Sequence, residues 1–355
     1  MVVIRPVSSA DVDQLLELAS LAGVGLTTLP KDRDLLKKRV AKSMRSFEKN
    51  VDRPGGESYL FVMEDIDSKK VIGACGIVSK VGGFQPFYGY RIENAIFESK
   101  QINVRKEVPM LMLHEEHDGP CEIGSLFLHQ AYRKDGNGRL LQLVRFLFIA
   151  EHPDWFESTV VSEIRGVTDS EGHSPFWNAI GAHFFGIDFA EADRLSVVNK
   201  KFIADLMPDH PIYIPLLPYS AQETIGKPHS ESAPAVKNLS AEGFKFANMV
   251  DIFDAGPVLN APRDEIRSVK ESRKEKIAAI VPGPIESSTY IICNTAGDEG
   301  FRAGKGAIDT DGAGGGGIKI TEAVASALNV KVGDSLRFVV MQAPGASPPS
   351  RSVVP

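Results

Sequence analysis

Apolar positions along this chain recur with two different periods, and the switches between them divide it into elements. VVIRPV at the start reads as a strand; Ser8 and Asp11 then stand in capping-box spacing ahead of Val12, Leu15, Leu16 and Ala19, an apolar stripe at helical intervals. The segment Leu26-Thr27-Thr28-Leu29-Pro30 breaks that helix, and Asp34 to Phe47 predicts a second one with a basic outer face. YLFVMED (59–65) and KVIGACGIV (70–78), separated by Ile66-Asp67-Ser68-Lys69, predict an antiparallel hairpin. Strands follow at 122–128 and 159–164, with a long apolar helix from Gly138 between them and a helix at 174–185 after them. This order predicts an α/β (α+β) fold in which helices surround mixed, largely antiparallel sheets. It argues against the alternating βαβ series of a dinucleotide-binding dehydrogenase.

Beyond Asp193 the chain becomes punctuated by proline, with short helical stretches near 202–206 and 222–226, a helix over Ala235–Glu242 ended by Gly243, and strand-like alternation in FKFANMVDIFDAGP. SPFWNAIGAHFFGIDF and SAPAVKNLSAEGFKFANM share a proline-started helix that ends in glycine and an aromatic residue, the pattern of two related α/β units. After about residue 260 the chain turns β-like: strands are expected in IESSTYIICN and KVGDSLRFVVM, with a glycine loop, DTDGAGGGG, and a short helix, TEAVASALN, between them. Three segments result, 1–198, 199–260 and 261–355.

Composition narrows this picture without identifying a function. With 24% charged and 43% hydrophobic residues over 355, the chain has the balance of a folded soluble protein. A net charge of −6 argues against nucleic acid as a partner, which requires a basic stripe. The three cysteines, Cys75, Cys121 and Cys293, have neither CxxC spacing nor an even count, so no disulfide framework or cysteine metal site is expected. No leader-like segment or membrane span is expected either, and the localisation expected is cytoplasmic.

Local chemistry is sharpest in IGSLFLHQAYRKDGNGRLLQLVRF (123–146), where a strand runs through Arg133, Gly136, Asn137 and Gly138 into a helix. Glycines allow backbone N–H groups to approach a diphosphate, and the helix N-terminus adds partial positive charge. A tight strand-to-helix turn explains the same residues. The SLFL strand just upstream, with Leu126, Phe127 and Leu128, has an edge on which a pantetheine arm can pair, which favours coenzyme A as the ligand.

These residues, together with GLTTLP, YLFVMED, VVSEIRGVTDSEGHSPFWNAIGAHFF, FIADLMPDHPIY, AQETIGKPHSESAPA and EGFKFANMVDIFDAGP, resemble successive signatures of the bacterial arginine N-succinyltransferase family, including arginine/ornithine succinyltransferase subunits. The resemblance runs from Met1 to about Arg273. It implies tandem units related to the GCN5-type acyltransferases: a CoA-binding unit over 1–198, a shorter unit over 199–260 and a small C-terminal β-rich extension over 261–355. It further implies succinyl transfer from succinyl-CoA to the α-amine of L-arginine, with His229 in IGKPHSES as proton donor and Leu126 in contact with succinyl-CoA. Lys227-Pro228 and Tyr132 depart from the family's usual Gln-Val and tryptophan, and the glycine loop matches no family pattern.

The residues themselves fit such a reaction. A histidine of ordinary pKa about 6.5 can handle a proton near neutrality, where an α-amine of pKa about 8 is mostly protonated. Glu163 in SEIRG can hold the amine or act as base through water; a surface salt bridge to Arg165 explains it equally. Asp205, Asp251 and Asp254 are candidates for the guanidinium, and Arg5 and Arg91 for anions. His114-Glu115-Glu116-His117 reads as a polar loop, not a metal site, and His173 with Asp169 forms no hydrolase triad. Phe176, Trp177, Phe184 and Phe185 are expected to pack a helix on the sheet. The expected enzyme holds no metal and no tightly bound cofactor, uses succinyl-CoA as co-substrate, and associates with copies of itself or a related subunit. An ornithine-preferring enzyme, a noncatalytic partner subunit and a related acyltransferase with another donor are the competing readings.

Overall fold

The computed structural model describes residues 1–22, 29–83, 85–196, 201–310 and 317–341. β1 (Val2–Pro6) lies beside β2 (Ser58–Asp65), which turns into β3 (Lys70–Val78) as the expected hairpin. A longer hairpin follows, β4 (Phe87–Ser99) and β5 (Val104–Glu116), and then β6 (Cys121–Leu128) and β7 (Thr159–Glu163). The next segment adds β8 (Ile212–Tyr213), β9 (Lys245–Val250) and β10 (Pro257–Pro262). The last third contributes β11 (Arg273–Val281), β12 (Thr289–Asn294), β13 (Ala303–Ala307), β14 (Ile318–Thr321) and β15 (Ser335–Val340). All pair in one order, β14-β11-β15-β12-β13-β1-β2-β3-β6-β7-β10-β9-β4-β5-β8. Among the described residues only β6–β7 and β11–β14 are parallel.

Three helices pack on this sheet for reasons visible in the chain. α1 (Val12–Ser20) buries Val12, Leu15, Leu18 and Ala19. α2 (Arg33–Glu48) starts at Asp32, whose carboxylate accepts from Asp34 N and Leu35 N at 2.9 Å each. α3 (Asn137–Glu151) is apolar nearly all round and is covered nearly all round, packing on β3, β6, β12 and β15. Through it the C-terminal strands share the main core: Phe148 lies edge-on to Phe61 and to Phe301, with ring centroids 5.2 and 5.0 Å apart.

The β4–β5 hairpin has no counterpart in the sequence reading, and the structure departs from that reading in two further places. The helix expected over 174–185 breaks at Ile180 (φ −128°, ψ −75°) into Pro175–Ala179 and Gly181–Phe185. Gly181 lies on the Trp177 ring, where a Cβ would come within 2.2 Å of the indole, so the close approach that seats Trp177 also kinks the chain. Second, His114–Glu116 closes β5 rather than forming a loop, with His114 Nε2 3.0 Å from Arg91 Nη2 across the hairpin. The expected glycine loop falls mainly on 311–316, and the break after α1 mainly on 23–28, outside the described residues. The three cysteines are buried free thiols, and burial pushes Cys75 up to about 12. Among the described residues no helix is long and apolar enough to cross a membrane, and no group of three or more His, Cys, Asp or Glu could hold a metal.

Candidate active site

The site begins where two strands part. β6 and β7 pair only at Cys121 with Val160 and Glu122 with Val161; past those positions β6 keeps its other neighbour, β3, and its β7-facing edge opens. A register shift between β3 and β6 places Ser125 at φ +55°. Such a bulge bends the strand and re-aims the residues after it. Arg39 from α2 locks it by donating to Ser125 Oγ at 2.6 Å. The gap is the mouth of a cleft of about 1190 Å³, whose floor includes Gly124, Leu126, Phe127 and Leu128. Nothing in the local sequence marks the bulge, because serine is an unusual residue for this backbone region.

At one end of the cleft, β6 runs into the glycine turn. Asp135 (φ +54°) and Gly136 (φ +73°) are both left-handed, which turns the chain sharply into the first turn of α3. Arg133 Nε donates to Leu128 O at 3.1 Å and Asn137 Nδ2 to Tyr132 O at 3.2 Å, tying the turn to the strand that precedes it. The N–H groups at a helix start lack intrahelical acceptors and carry partial positive charge. This arrangement suits a diphosphate. Arg139, the third residue of the helix, also lines the cleft; its Nε and Nη2 are buried without a hydrogen-bond partner.

The other end is built by a second chain crossing. Beyond β7 the strand continues irregularly: Ile164 N donates to Pro257 O at 3.1 Å and Gly166 N to Asp254 Oδ2 at 2.7 Å. Gly166 bridges Pro228, and His229 N donates to Arg165 O at 2.8 Å, which brings His229 beside the cleft-lining Arg165. His229 Nδ1 accepts from Glu231 N at 3.2 Å, so the neutral ring carries its proton on Nε2. Burial, and then the neighbouring Arg165 guanidinium, hold the imidazole below its usual range, while Glu231 opposes them. Asp254 is buried and protonates far more readily than an ordinary carboxyl, because of burial and then the nearby Asp251 and Asp193. Glu163, Asp193, Asp251 and Asp254 all line this end.

Glycine is required where these segments meet. A Cβ on Gly256 would come within 1.9 Å of Ile164 O and 2.6 Å of Gly166 N, both backbone atoms. Gly256→Ala is expected to lower stability by about 1–3 kcal/mol through overpacking. A fall in the thermal unfolding midpoint checks this, and an unchanged midpoint refutes the tight crossing.

Of the residues singled out from sequence, Leu126, Phe127, Leu128, Arg133, Gly136, Asn137, Gly138 and Glu163 line one cleft, and His229 stands at its edge through Arg165 and Glu231. Asp251 and Asp254 line it too, while Arg5, Arg91 and Asp205 lie elsewhere. Arg5 is held by Asp11, at 2.8 Å from both terminal nitrogens, and by Glu64 at 2.6 Å, a structural cluster. Arg91 pairs with His114 on the hairpin, and Asp205 is exposed on the Lys201–Leu206 helix. Arg165 forms an ion pair with Glu231 at 3.5 Å. Cations missed from sequence, Arg139, Arg145, Arg165 and Lys237, line the cleft instead. Phe176 and Trp177 are fully buried core residues, as expected, whereas Phe184 is exposed.

The chain is similar to known proteins along almost its whole length. Residues 2–268 match the model of the arginine N-succinyltransferase beta subunit, and residues 273–339 that of its C-terminal domain. The arginine N-succinyltransferase of Yersinia pseudotuberculosis is 39% identical over 352 residues, covering 97% of this chain and 99% of its own. The arginine N-succinyltransferase subunit beta of Pseudomonas aeruginosa is 43% identical over 293 residues, covering 82% and 85%. The solved structure of arginine/ornithine succinyltransferase subunit AI from Pseudomonas aeruginosa superposes with a TM-score of 0.87 at 35% identity, covering 97% of this chain and 99% of that one. The mixed, largely antiparallel acyltransferase fold with a C-terminal β-rich extension, expected from sequence, is borne out. By its sequence along almost its whole length, and by its fold, the chain belongs to the arginine N-succinyltransferase beta subunit family.

Proposed function

We infer that this protein transfers succinyl from succinyl-CoA to the α-amine of L-arginine, giving CoA and N2-succinyl-L-arginine. The observation that carries this reading is one cleft with a diphosphate-type turn at one end and a histidine beside an acidic wall at the other. CoA lies with its diphosphate on the turn at Gly136–Gly138 and its pantetheine along the open edge of β6 past Leu126. This brings the thioester to the gap between β6 and β7. The guanidinium of arginine is drawn to the end lined by Asp193 and Asp251, where carboxylates can pair with it. Arg165, the cation beside His229, is the nearest partner there for the succinyl carboxylate.

In the transfer the amine nitrogen attacks the thioester carbonyl, the new C–N bond forms, and the C–S bond breaks. The amine first has to lose a proton, which Glu163 accepts directly or through water. His229 Nε2–H donates a hydrogen bond to sulfur as it becomes thiolate; a second proton, lost from nitrogen as the amide forms, ends on that thiolate, and Glu163 passes the first to solvent. Atoms balance with no covalent enzyme intermediate. Association with a second copy or a related subunit fits the subunit designations of the relatives.

A donor and acceptor panel tests the reading. With purified chain alone, CoA release is expected to be fastest for succinyl-CoA with arginine, against acetyl- and glutaryl-CoA and against ornithine. Activity appearing only on adding a second, related chain would make this a partner subunit, and preference for ornithine or another donor would reassign the substrates.

A further inference from the structure

We propose that the C-terminal module forms the outer wall of the nucleotide end of the CoA site, and that Lys305 acts as a positioning residue that sets CoA affinity by clamping the glycine turn. This deepens the transfer reading above and rests on its placement of CoA.

The connection joins segments 170 positions apart. Lys305 lies on β13, and its ammonium donates to Asp135 O and, at 3.0 Å, to Asn137 Oδ1. Both acceptors belong to the turn between Arg133 and α3, and Asp135 is one of its two left-handed residues. Both oxygens are neutral. The ammonium adds positive charge to the turn beside the Asp135 carboxylate, and the carbonyl it holds fixes the orientation of the peptide N–H after it. From the same module, Met341 covers Gly136 so closely that a Cβ there would approach its Cε within 2.5 Å. Met341 is itself held by its N–H on Thr289 O at 2.9 Å. Ser288, Thr289 and Met341 line the same cleft as the turn. The module cannot swing freely, since Phe301 and Ile291 sit in the core shared with α3 and β2.

A second feature points to an anion at this end. Arg139 has a side chain only 10% exposed, and its Nη2 lies 3.9 Å from Glu242 Oε1, an ion pair without a hydrogen bond. Its Nε and Nη2 are left without hydrogen-bond partners. Buried guanidinium nitrogens of this kind are normally satisfied, and a phosphate supplies the acceptors.

The test measures equilibrium binding of CoA and of 3′-dephospho-CoA to the full chain, together with the Michaelis constants of succinyl-CoA and arginine. Lys305→Met is expected to weaken both CoA forms by about tenfold, the scale of one charge-assisted contact, and to leave the arginine KM within twofold. Lys305→Arg is expected to restore most of the loss. Met341→Ala, which removes the cover over Gly136 and keeps Lys305, is expected to weaken CoA a few-fold. Undiminished CoA binding in Lys305→Met overturns the proposal. So does a loss confined to CoA, which would put the contact on the 3′-phosphate, and so does an equal rise in the arginine KM, which would mark a general structural effect. Tight CoA binding by the unaltered chain without succinyl transfer to arginine would instead overturn the transfer reading and leave the clamp testable by binding alone.

Discussion

Replacing His229 with alanine is expected to lower kcat about 10²–10³-fold, the loss that follows removal of one donor aimed at developing charge, with CoA binding within twofold of the unaltered chain. The split arises because His229 lies on the far side of the β6–β7 gap from the glycine turn, tied to Arg165 O through its own N–H. His229→Gln keeps a side-chain N–H donor and is expected to recover part of the rate.

The pH profile of kcat/KM separates this role from simple packing. Toward acid, the rate falls first with protonation of the arginine amine. It then steepens where the imidazole protonates. Protonation at Nδ1 turns that atom from acceptor to donor against Glu231 N–H, so it breaks the cap of the Ser230–Ser232 turn whose end lines the cleft. Since burial and Arg165 hold the imidazole below 6.5, the steepening is expected below that pH. Arg165→Gln removes a cation that disfavours the imidazolium, and so moves the steepening upward. A steepening that stays in place in both Arg165→Gln and His229→Ala would assign it to another group.

The two ends of the cleft were unequally legible in the sequence. The turn at Arg133–Gly138 could be read because its chemistry is local: glycine where φ is positive, then an apolar helix. His229 carried no such signal on its own, and a resemblance to a known family singled it out. What places it is the Gly166–Pro228 bridge, a pairing between segments about sixty residues apart. The β4–β5 hairpin escaped notice because much of it is open on both faces, so KEVPMLMLHEE lacks the strict alternation of a half-buried strand. Ser125 at φ +55° follows from register against β3 and from Arg39, not from its neighbours. Likewise Lys305 and Met341 read as ordinary strand-end residues until the fold sets them against a turn some 170 to 200 positions earlier.

Glu242→Ala is expected to destabilise the chain by about 3–5 kcal/mol, the cost of removing one partner from a buried ion pair. Glu242 is fully buried at the end of the Ala233–Ala241 helix, and all its acceptor capacity faces the junction leading into β11. Its Oε1 accepts from Arg267 Nη2 at 2.7 Å and Nε at 3.1 Å, and its Oε2 accepts from Ser268 N at 2.8 Å. Alanine leaves the Ser268 N–H unsatisfied and Arg267 with only the exposed Glu271, 3.2 Å away, as counter-charge. Glu242→Gln keeps the volume but turns one acceptor into a donor facing Ser268 N–H or Arg267, so a smaller loss is expected. Urea unfolding of the two variants measures both effects. A loss under about 1 kcal/mol for alanine would mean that water enters and solvates Arg267, because an exposed pair has that magnitude. The same carboxylate is the nearest counter-charge to Arg139 in the cleft wall, at 3.9 Å. Glutamine should therefore also alter CoA affinity while the fold persists, which links the stability of the junction to the site it supports.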